Sequence, residues 1–377
     1  MERYDFVVVG GGIAGASAAY ELAGHGSVVL LEKEAVCGHH STGRSAAVFT
    51  ECYGDELVRR LAIASRPFLD NPPPGFSAGP LLEGRPVLFV GRADQNERLN
   101  DAAADFGALV PSVDLVTAAE AVVLCPVLRS DHIGGGVLEP EAQDLDVHGL
   151  HGGFLSGARA RGAVVRTSAG VDRISTRNES WELSITDGDE IQAAVVVNAA
   201  GAWCDDVAAM AGIEPVGLQP LRRTAFTFSP PEGVDHRRWP MIVAIDESYY
   251  FKPEGPGLLG SPGDEAPVPP GDARHDEIDV AVAISRIQEA TTMTIRHVAS
   301  AWAGLRSFVA DRRPVIGADP GSPSFYWLAG QGGFGIKTSP AAGRAIASLV
   351  VDDVLPPDLI EIGITRNELA PGRLRRG

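Results

Sequence analysis

Three glycines near the N-terminus have the spacing that binds a pyrophosphate. Gly10, Gly12 and Gly15 form a GxGxxG motif directly after an apolar run at residues 6–9. In such a motif the first glycine makes a tight turn, the second lets the backbone approach phosphates, and the third allows close packing of helix on strand. Glu32 closes the next apolar run and can accept hydrogen bonds from a ribose diol. The pattern predicts a dinucleotide site.

The elements around this motif follow the order strand, glycine loop, helix, strand. Residues 6–9 are β-branched and too few for a helix, which predicts a buried parallel strand. Residues 16–23 are rich in alanine and predict a helix whose N-terminus offers free N–H groups to an anion. Residues 28–31 predict the second strand. This order alone does not choose between NAD and FAD.

Three further segments of small residues favour FAD. Residues 38–47 follow Glu32 closely and contain a lone arginine, Arg44. Residues 193–203 form an apolar run that ends in small residues, and residues 326–335 lead from an apolar run into a glycine loop. A helix is expected after that loop, from about Ser339 to Val351. Several strand-to-loop junctions can meet at one long ligand, whereas NAD dehydrogenases usually need only the first.

Length and composition limit the class of protein. A chain of 377 residues with 45% hydrophobic and 21% charged residues predicts a globular protein of about two domains. The 49 acidic and 32 basic residues give a formal charge of −17, which disfavours nucleic acids and anionic membranes as partners. No apolar run is long enough to span a membrane, and no cleavable leader is evident. Four scattered cysteines predict idle thiols and no metal site. A cytoplasmic location is expected.

Several longer strings carry a resemblance to a known family. The chain resembles the D-amino-acid oxidase-like FAD-dependent oxidoreductases, and within that family it is most similar to the bacterial D-arginine dehydrogenases. The matching strings lie at residues 40–47, 70–73, 198–204, 217–220, 246–248, 302–308 and 331–333.

The resemblance implies a two-domain α/β fold, α+β overall. A discontinuous Rossmann-like FAD-binding domain would comprise residues 1–84, 142–217 and 302–377. An inserted substrate-binding domain would comprise residues 85–141 and 218–301. Short runs separated by proline and glycine in the second insert also predict an antiparallel sheet. The arginine-rich tail from Thr365 onward is expected to be solvated and mobile.

The resemblance also implies the reaction. FAD would take a hydride from the Cα of a D-amino acid, and water would hydrolyse the imino acid to a 2-oxo acid and ammonium. The cofactor is expected to be non-covalent because the C-terminal glycine loop contains no cysteine to form a thioether. The electron acceptor stays open between a quinone, another carrier and oxygen. A monomer or a homodimer is expected.

Residue by residue, the resemblance implies a substrate site. Arg306 is expected to bind the substrate carboxylate, since a planar guanidinium can donate two parallel hydrogen bonds. Tyr250 matches a tyrosine that helps to hold the same group, and Tyr53 matches one on a lid at about residues 46–55. Arg223 matches a position that lines the flavin pocket. Lys337 either assists Arg306 or places positive charge near the flavin.

The resemblance assigns a larger set of positions to the cofactor. These are Gly10, Gly12, Ile13, Ala14, Gly15, Glu32, Lys33, Ser41, Thr42, Arg44, Ser45, Ala46, Val171, Ala200, Gly201, Trp203, Gly330, Gly332, Gly333, Phe334, Gly335, Ile336, Lys337 and Thr338.

Departures from D-arginine dehydrogenase indicate a different substrate side chain. Val87 stands where that enzyme has the glutamate that meets the substrate guanidinium, and an unpaired buried cation costs roughly 3–5 kcal/mol. Val48 replaces a histidine and Phe49 a tyrosine, so the pocket with Thr50 is less polar. Glu51 near the lid could restore some negative charge. The prediction is a neutral, apolar D-amino acid.

Alternatives remain within and outside this chemistry. Lys337 stands where D-arginine dehydrogenase has glutamine, and sarcosine oxidases carry a lysine there. A secondary amine such as an N-methyl amino acid or D-proline therefore stays open. A 2-hydroxy-acid dehydrogenase would need a base for the alcohol proton, and Val48 disfavours that reaction. Arg44, Arg306 and the loop at 332–335 disfavour a non-catalytic protein on the same scaffold.

Overall fold

The computed structural model describes residues 2–186 and 188–375, which form twenty strands and ten α-helices. The strands are β1 (Glu2–Val9), β2 (Val28–Leu31), β3 (Val48–Phe49), β4 (Leu82–Gly84), β5 (Val87–Arg92), β6 (Asp114–Thr117), β7 (Ile133–Glu139), β8 (Gln143–Leu145), β9 (Val164–Arg166), β10 (Val171–Arg177), β11 (Ser180–Ile185), β12 (Glu190–Asn198), β13 (Gln219–Phe228), β14 (Met241–Ala244), β15 (Tyr250–Glu254), β16 (Gly257–Ser261), β17 (Ala266–Pro267), β18 (Val298–Phe308), β19 (Val315–Asp319) and β20 (Ser322–Ala329).

The helices are α1 (Ile13–Leu22), α2 (Glu56–Asp70), α3 (Asn96–Gly107), α4 (Ala118–Leu124), α5 (Val147–Ala160), α6 (Cys204–Met210), α7 (Glu277–Ala290), α8 (Gly335–Val351), α9 (Pro357–Glu361) and α10 (Arg366–Leu369). Within the described ranges no helix is long and apolar enough to cross a lipid bilayer.

The first sheet is a parallel sheet with an antiparallel extension. Strands β20, β12, β1, β2 and β9 lie side by side and parallel, and β10 and β11 continue antiparallel from the first half of β12. On one face of this sheet, helices α1, α5 and α8 bury Val8. On the other face, Val7 packs into a second core around Trp181. Burial on both faces explains why the strands are continuous apolar runs.

The second sheet has nine strands and is mainly antiparallel. Its order is β17-β13-β16-β15-β14-β5-β7-β6, and β18 pairs with β13. Alternate residues face opposite sides, as a strand requires. Leu88 and Phe251 pack towards Ile287 of α7, whereas Val87 and Tyr250 belong to the core on the opposite face. Ala46 and Val48 pack against the core on that opposite face.

The expected domain division needs one adjustment. The line between residues 301 and 302 falls inside β18, which pairs with β13 from Val298 to Phe308 and so belongs to the second sheet throughout. The segments 48–49, 82–84 and 143–145 form a small third sheet between the two. A hydrogen-bonded bridge also joins Ser307 on β18 to Gly332.

The expectation of a solvated tail is wrong for the described residues. Leu369 is fully buried in the first core. Arg373 pairs with Asp311, and Arg375 pairs with the buried Asp319 at 2.7 Å. An arginine-rich composition suggested solvation, but carboxylates on the body of the protein hold these guanidinium groups.

Candidate active site

A cavity of about 750 Å³ lies where the parallel strands end. Val9 and Leu31, the last residues of β1 and β2, line it together with Ala199 and Ala329. Ligands of open α/β sheets bind outside the carboxyl ends of the strands. The position of this cavity agrees with that rule.

The glycine loop leaves room for a phosphate at the start of α1. Gly10 has a φ of +107°, a conformation that side chains rarely adopt. A Cβ on Gly15 would lie 1.8 Å from the carbonyl oxygen of Gly10, so only glycine permits this approach of helix to loop. Gly15 itself does not line the cavity, whereas Gly10 and Gly12 do. The loop therefore has the glycine pattern and the shape that a pyrophosphate needs.

Glu32 is held in place at the end of β2. Its carboxylate accepts hydrogen bonds from the backbone N–H groups of Gly11 and Glu34, each at 2.8 Å. The side chain is buried and lines the large cavity. Its orientation is thus set before any ligand arrives, as a ribose-binding acid requires.

Most other positions assigned to the cofactor surround the same cavity. Phe334 and Thr338 do not: Thr338 is buried and donates to the carbonyl of Phe334 at 3.0 Å. Lys337 lines a second, smaller cavity instead. The positions assigned to the cofactor that do line the large cavity are Gly10, Gly12, Ile13, Ala14, Glu32, Lys33, Ser41, Thr42, Arg44, Ser45, Ala46, Val171, Ala200, Gly201, Trp203, Gly330, Gly332, Gly333, Gly335 and Ile336.

Arg44 connects the wall of the large cavity to the second sheet. Its guanidinium donates to the carbonyls of Ala273 and Ala303 at 3.0 and 3.1 Å and pairs with Asp272. Ser41 donates to the carbonyl of Leu305 at 2.7 Å. The segment at 38–47 is therefore bound to β18, the strand that carries Arg306.

A second cavity of about 90 Å³ adjoins the first. Its walls include the residues expected at the substrate site except Phe49, which is fully buried in the first core, and Glu51; several of the lining residues also line the large cavity. The lining residues expected from the sequence are Arg306, Tyr250, Tyr53, Lys337, Arg223, Val48, Thr50 and Val87. Of these, Arg306, Tyr250 and Arg223 line both cavities.

The guanidinium of Arg306 has no carboxylate counter-ion. It donates to the hydroxyl of Tyr53 at 3.1 Å, and within residues 2–186 and 188–375 no carboxylate oxygen lies within 4 Å of it. Glu247 is linked to it only through Tyr53, whose hydroxyl donates to that carboxylate at 3.2 Å. Burial disfavours its charge, but Tyr53 and Tyr250 raise its pKa overall. The charge is thus available for an anionic ligand.

Lys337 is buried in the first turn of α8. Its ammonium donates to the carbonyls of Thr50 and Tyr53 at 2.7 and 2.6 Å. Burial lowers the pKa of Lys337 to about 8, although the carboxylate of Glu139 works in the opposite direction. The contacts with two carbonyls direct this lysine towards the 50–53 backbone.

Arg223 and Glu51 differ from Arg306 in having partners. Arg223 donates to the carbonyl of Asp264 at 2.8 Å and lies 3.2 Å from Glu265. Glu51 binds Arg66 at 2.7 Å and does not line the cavity. The negative charge of Glu51 is therefore neutralised outside the pocket, which excludes the compensating role considered for it.

The cavity also contains residues that the sequence did not single out. Phe89, Met241 and Val243 add apolar surface, and Glu247 adds a carboxylate. Alternation on β5 places Phe89 on the same face as Val87, so the position of Phe89 in the cavity wall could have been predicted from the sequence. Met241 and Val243 depend on the parallel pairing of β14 with β5, which no local pattern indicates.

The glycine cradle and the oriented acid fit a dinucleotide, and the guanidinium of Arg306 lines both cavities with no carboxylate partner among the described residues. The chain belongs to the family of FAD dependent oxidoreductases, whose family model matches residues 5–349. Its cofactor is accordingly FAD, and the large cavity fits that group.

Two mitochondrial dehydrogenases match nearly the whole chain at low sequence identity. Mouse mitochondrial dimethylglycine dehydrogenase is 25% identical over 97% of the chain and 44% of its own length. Mouse mitochondrial sarcosine dehydrogenase is 24% identical over 96% of the chain and 41% of its own length. The chain thus spans less than half of these relatives. They do not specifically support the finer likeness to D-arginine dehydrogenase.

Two solved structures share the fold. L-proline dehydrogenase from P. horikoshii superposes with a TM-score of 0.87 at 22% identity and covers 100% of this chain and 99% of its own. Glycine oxidase from Geobacillus kaustophilus gives 0.83 at 21% identity over 97% and 99%. The mixed α/β architecture expected from the sequence is confirmed.

Proposed function

We propose that this protein dehydrogenates the C–N bond of a small α-amino acid with a neutral side chain. The observation that carries the proposal is the position of Arg306 at the junction of both cavities, with no carboxylate partner among the described residues. A half-buried guanidinium that lines a cavity and has no carboxylate partner among the described residues favours a bound carboxylate. The protein would grip the substrate by that end.

Different residues of the chain would bind the carboxylate of the substrate and enclose its side chain. Arg306 would bind the carboxylate through two hydrogen bonds, and Tyr250 lies on the same wall. Val48, Val87 and Phe89 would exclude water from the side chain. The substrate would lose a hydride from carbon and a proton from nitrogen, and water would hydrolyse the resulting imine. When bound, FAD supplies the acceptor for the two electrons.

The apolar walls and the small volume support a short, uncharged side chain. A D-amino acid with a primary amine is the first choice, and D-alanine and D-valine are suitable representatives. We expect each to be turned over with a much higher kcat/KM than D-arginine or D-lysine. Steady-state rates on a panel of D- and L-enantiomers, with an artificial electron acceptor, test this. Dominant activity on basic or L-amino acids would contradict the proposal.

A secondary or tertiary amine is the second candidate. The relatives named above are a dimethylglycine and a sarcosine dehydrogenase, and the small apolar cavity suits an N-methyl group. Product analysis separates the candidates. Ammonium and a 2-oxo acid indicate a primary amine, whereas formaldehyde or methylamine indicates an N-methyl substrate.

A further inference from the structure

A buried carboxylate lies behind the smaller cavity without lining it. Glu139, the last residue of β7, is 1% exposed. Its two oxygens accept a hydrogen bond from the Thr50 hydroxyl at 2.5 Å and one from the backbone N–H of Glu51 at 2.7 Å. An unpaired charge at this depth would cost several kcal/mol. Each oxygen of Glu139 has a hydrogen-bond partner on the 50–51 segment, which links this buried side chain to that segment.

The same segment is bound from its other side by a cation. Lys337 donates to the carbonyls of Thr50 and Tyr53. Residues 50–53 therefore direct N–H and hydroxyl groups at an anion and carbonyl groups at an ammonium. The acid Glu139 on β7 and the lysine Lys337 on α8 thus hold one short irregular segment from two sides, although burial raises the pKa of Glu139. No strand pairing holds it, because β3 ends at Phe49 and α2 begins at Glu56.

The segment carries groups that line the substrate cavity. Thr50 and Tyr53 both contribute to its wall, and the hydroxyl of Tyr53 is the hydrogen-bond partner of Arg306. A shift of the segment would move that hydroxyl away from the guanidinium. We infer that Glu139 is a positioning residue for substrate: together with Lys337 it holds residues 50–53 so that Tyr53 and Arg306 present a preformed carboxylate site.

The identity of the ligand rests on the proposed function. The clamp, by which we mean Glu139 and Lys337 holding residues 50–53 between them, does not. Two measurements therefore need no turnover. Amide hydrogen exchange of residues 50–54 in the FAD-loaded protein reports how often the segment opens. Binding of propanoate, followed by the change in the visible absorbance of the flavin, reports the carboxylate site.

We expect Glu139→Ala to accelerate exchange at 50–54 and to raise the Kd of propanoate roughly ten-fold, the size of one lost charged hydrogen bond. With a turned-over amino acid, KM should rise more than kcat falls. Glu139→Gln keeps one acceptor oxygen and should lie between. Thr50→Val removes the hydroxyl at nearly constant shape and should accelerate exchange at 50–54 in the same direction, whereas Thr50→Ser keeps the hydroxyl and should keep exchange slow.

Glu141→Gln is the matched control, because Glu141 is an exposed carboxylate two residues further along the chain. It should leave exchange and propanoate binding unchanged. If Glu139→Ala does not fold, Glu139→Gln and Thr50→Val decide the question. Wild-type exchange and wild-type propanoate affinity in both would overturn the inference. Faster exchange and weaker propanoate binding in a protein that oxidises no amino acid would support the clamp and reject only the proposed function.

Discussion

At the scale of single residues, Arg306 is the group on which the proposed substrate binding depends. Arg306→Lys keeps the charge but removes the planar fork, so one of two carboxylate hydrogen bonds is lost. We expect kcat/KM to fall roughly 10- to 100-fold, mostly through KM. The matched control is Arg92→Lys, an exposed arginine outside both cavities. Equal kinetics in Arg306→Lys and the wild type would reject the assignment.

In the proposed function, Val87 selects the substrate side chain that the pocket accepts. It lies directly opposite Glu139 in the β5–β7 register, on the same face, and is 1% exposed. Val87→Glu would place a carboxylate at the cavity wall and should shift the kcat/KM ratio of D-arginine to D-alanine at least ten-fold towards D-arginine. Val87→Gln has the same shape without the charge and should not produce that shift. An unchanged ratio in Val87→Glu would contradict the pocket assignment.

Lys337 makes folding stability depend on pH. Its folded pKa of about 8 lies below the unfolded value of 10.5, so between these values the unfolded chain binds more protons. Burying the charged form costs stability below pH 8, and the cost is relieved as pH rises towards 10.5. The difference in free energy of unfolding between wild type and Lys337→Met should therefore change by up to roughly 3 kcal/mol across this window, in favour of the wild type at high pH. A flat difference curve from urea titrations would contradict the burial of a charged lysine.

At the scale of elements, the contact of α1 with the glycine loop leaves no room for a side chain larger than that of glycine. Gly15→Ala would bring a methyl group to 1.8 Å from the Gly10 carbonyl and should abolish FAD retention or folding. Gly152→Ala is the control, because a Cβ there meets nothing within 4 Å inside α5. That change should be neutral or stabilise by about 0.5–1 kcal/mol. Absorbance of bound FAD and thermal unfolding measure both, and a fully loaded, stable Gly15→Ala protein would contradict this contact.

The predictability of each element follows the range of its interactions. The β1–α1–β2 unit was predictable because its glycine motif and apolar runs are local. The helix expected at 339–351 begins four residues earlier, at Gly335, and Pro340 lies inside it. Proline has no N–H for the carbonyl of Ile336, which accepts a hydrogen bond from the Ser339 hydroxyl at 3.0 Å instead. Arg306, Val87 and Lys337 were found through the resemblance. Glu139 and Met241 were not, because their roles arise from pairings between strands that are far apart in sequence.

At the scale of the whole molecule, the chain end stabilises the body. Leu369 of α10 is fully buried in the first core, so Leu369→Ala should lower the free energy of unfolding by about 2–5 kcal/mol. Ile360→Ala on neighbouring α9 is the control, since Ile360 is 56% exposed and its truncation should cost far less. Denaturant titration distinguishes the two. Equal, small effects would mean that α10 does not contribute to the core.

Strand β18 limits how this protein can be recombined with its relatives. It is paired with β13 over its whole length, carries the proposed anchor for substrate, and is joined through Ser307 to the glycine loop at Gly332. In a chimera with its crossover between residues 301 and 302, the two parts of β18 would come from different parent proteins. Arg306 would then come from a different protein than the sheet with which its strand pairs. Exchange of specificity between family members should therefore succeed only when the crossover falls beyond Phe308, so that sheet and anchor are inherited together.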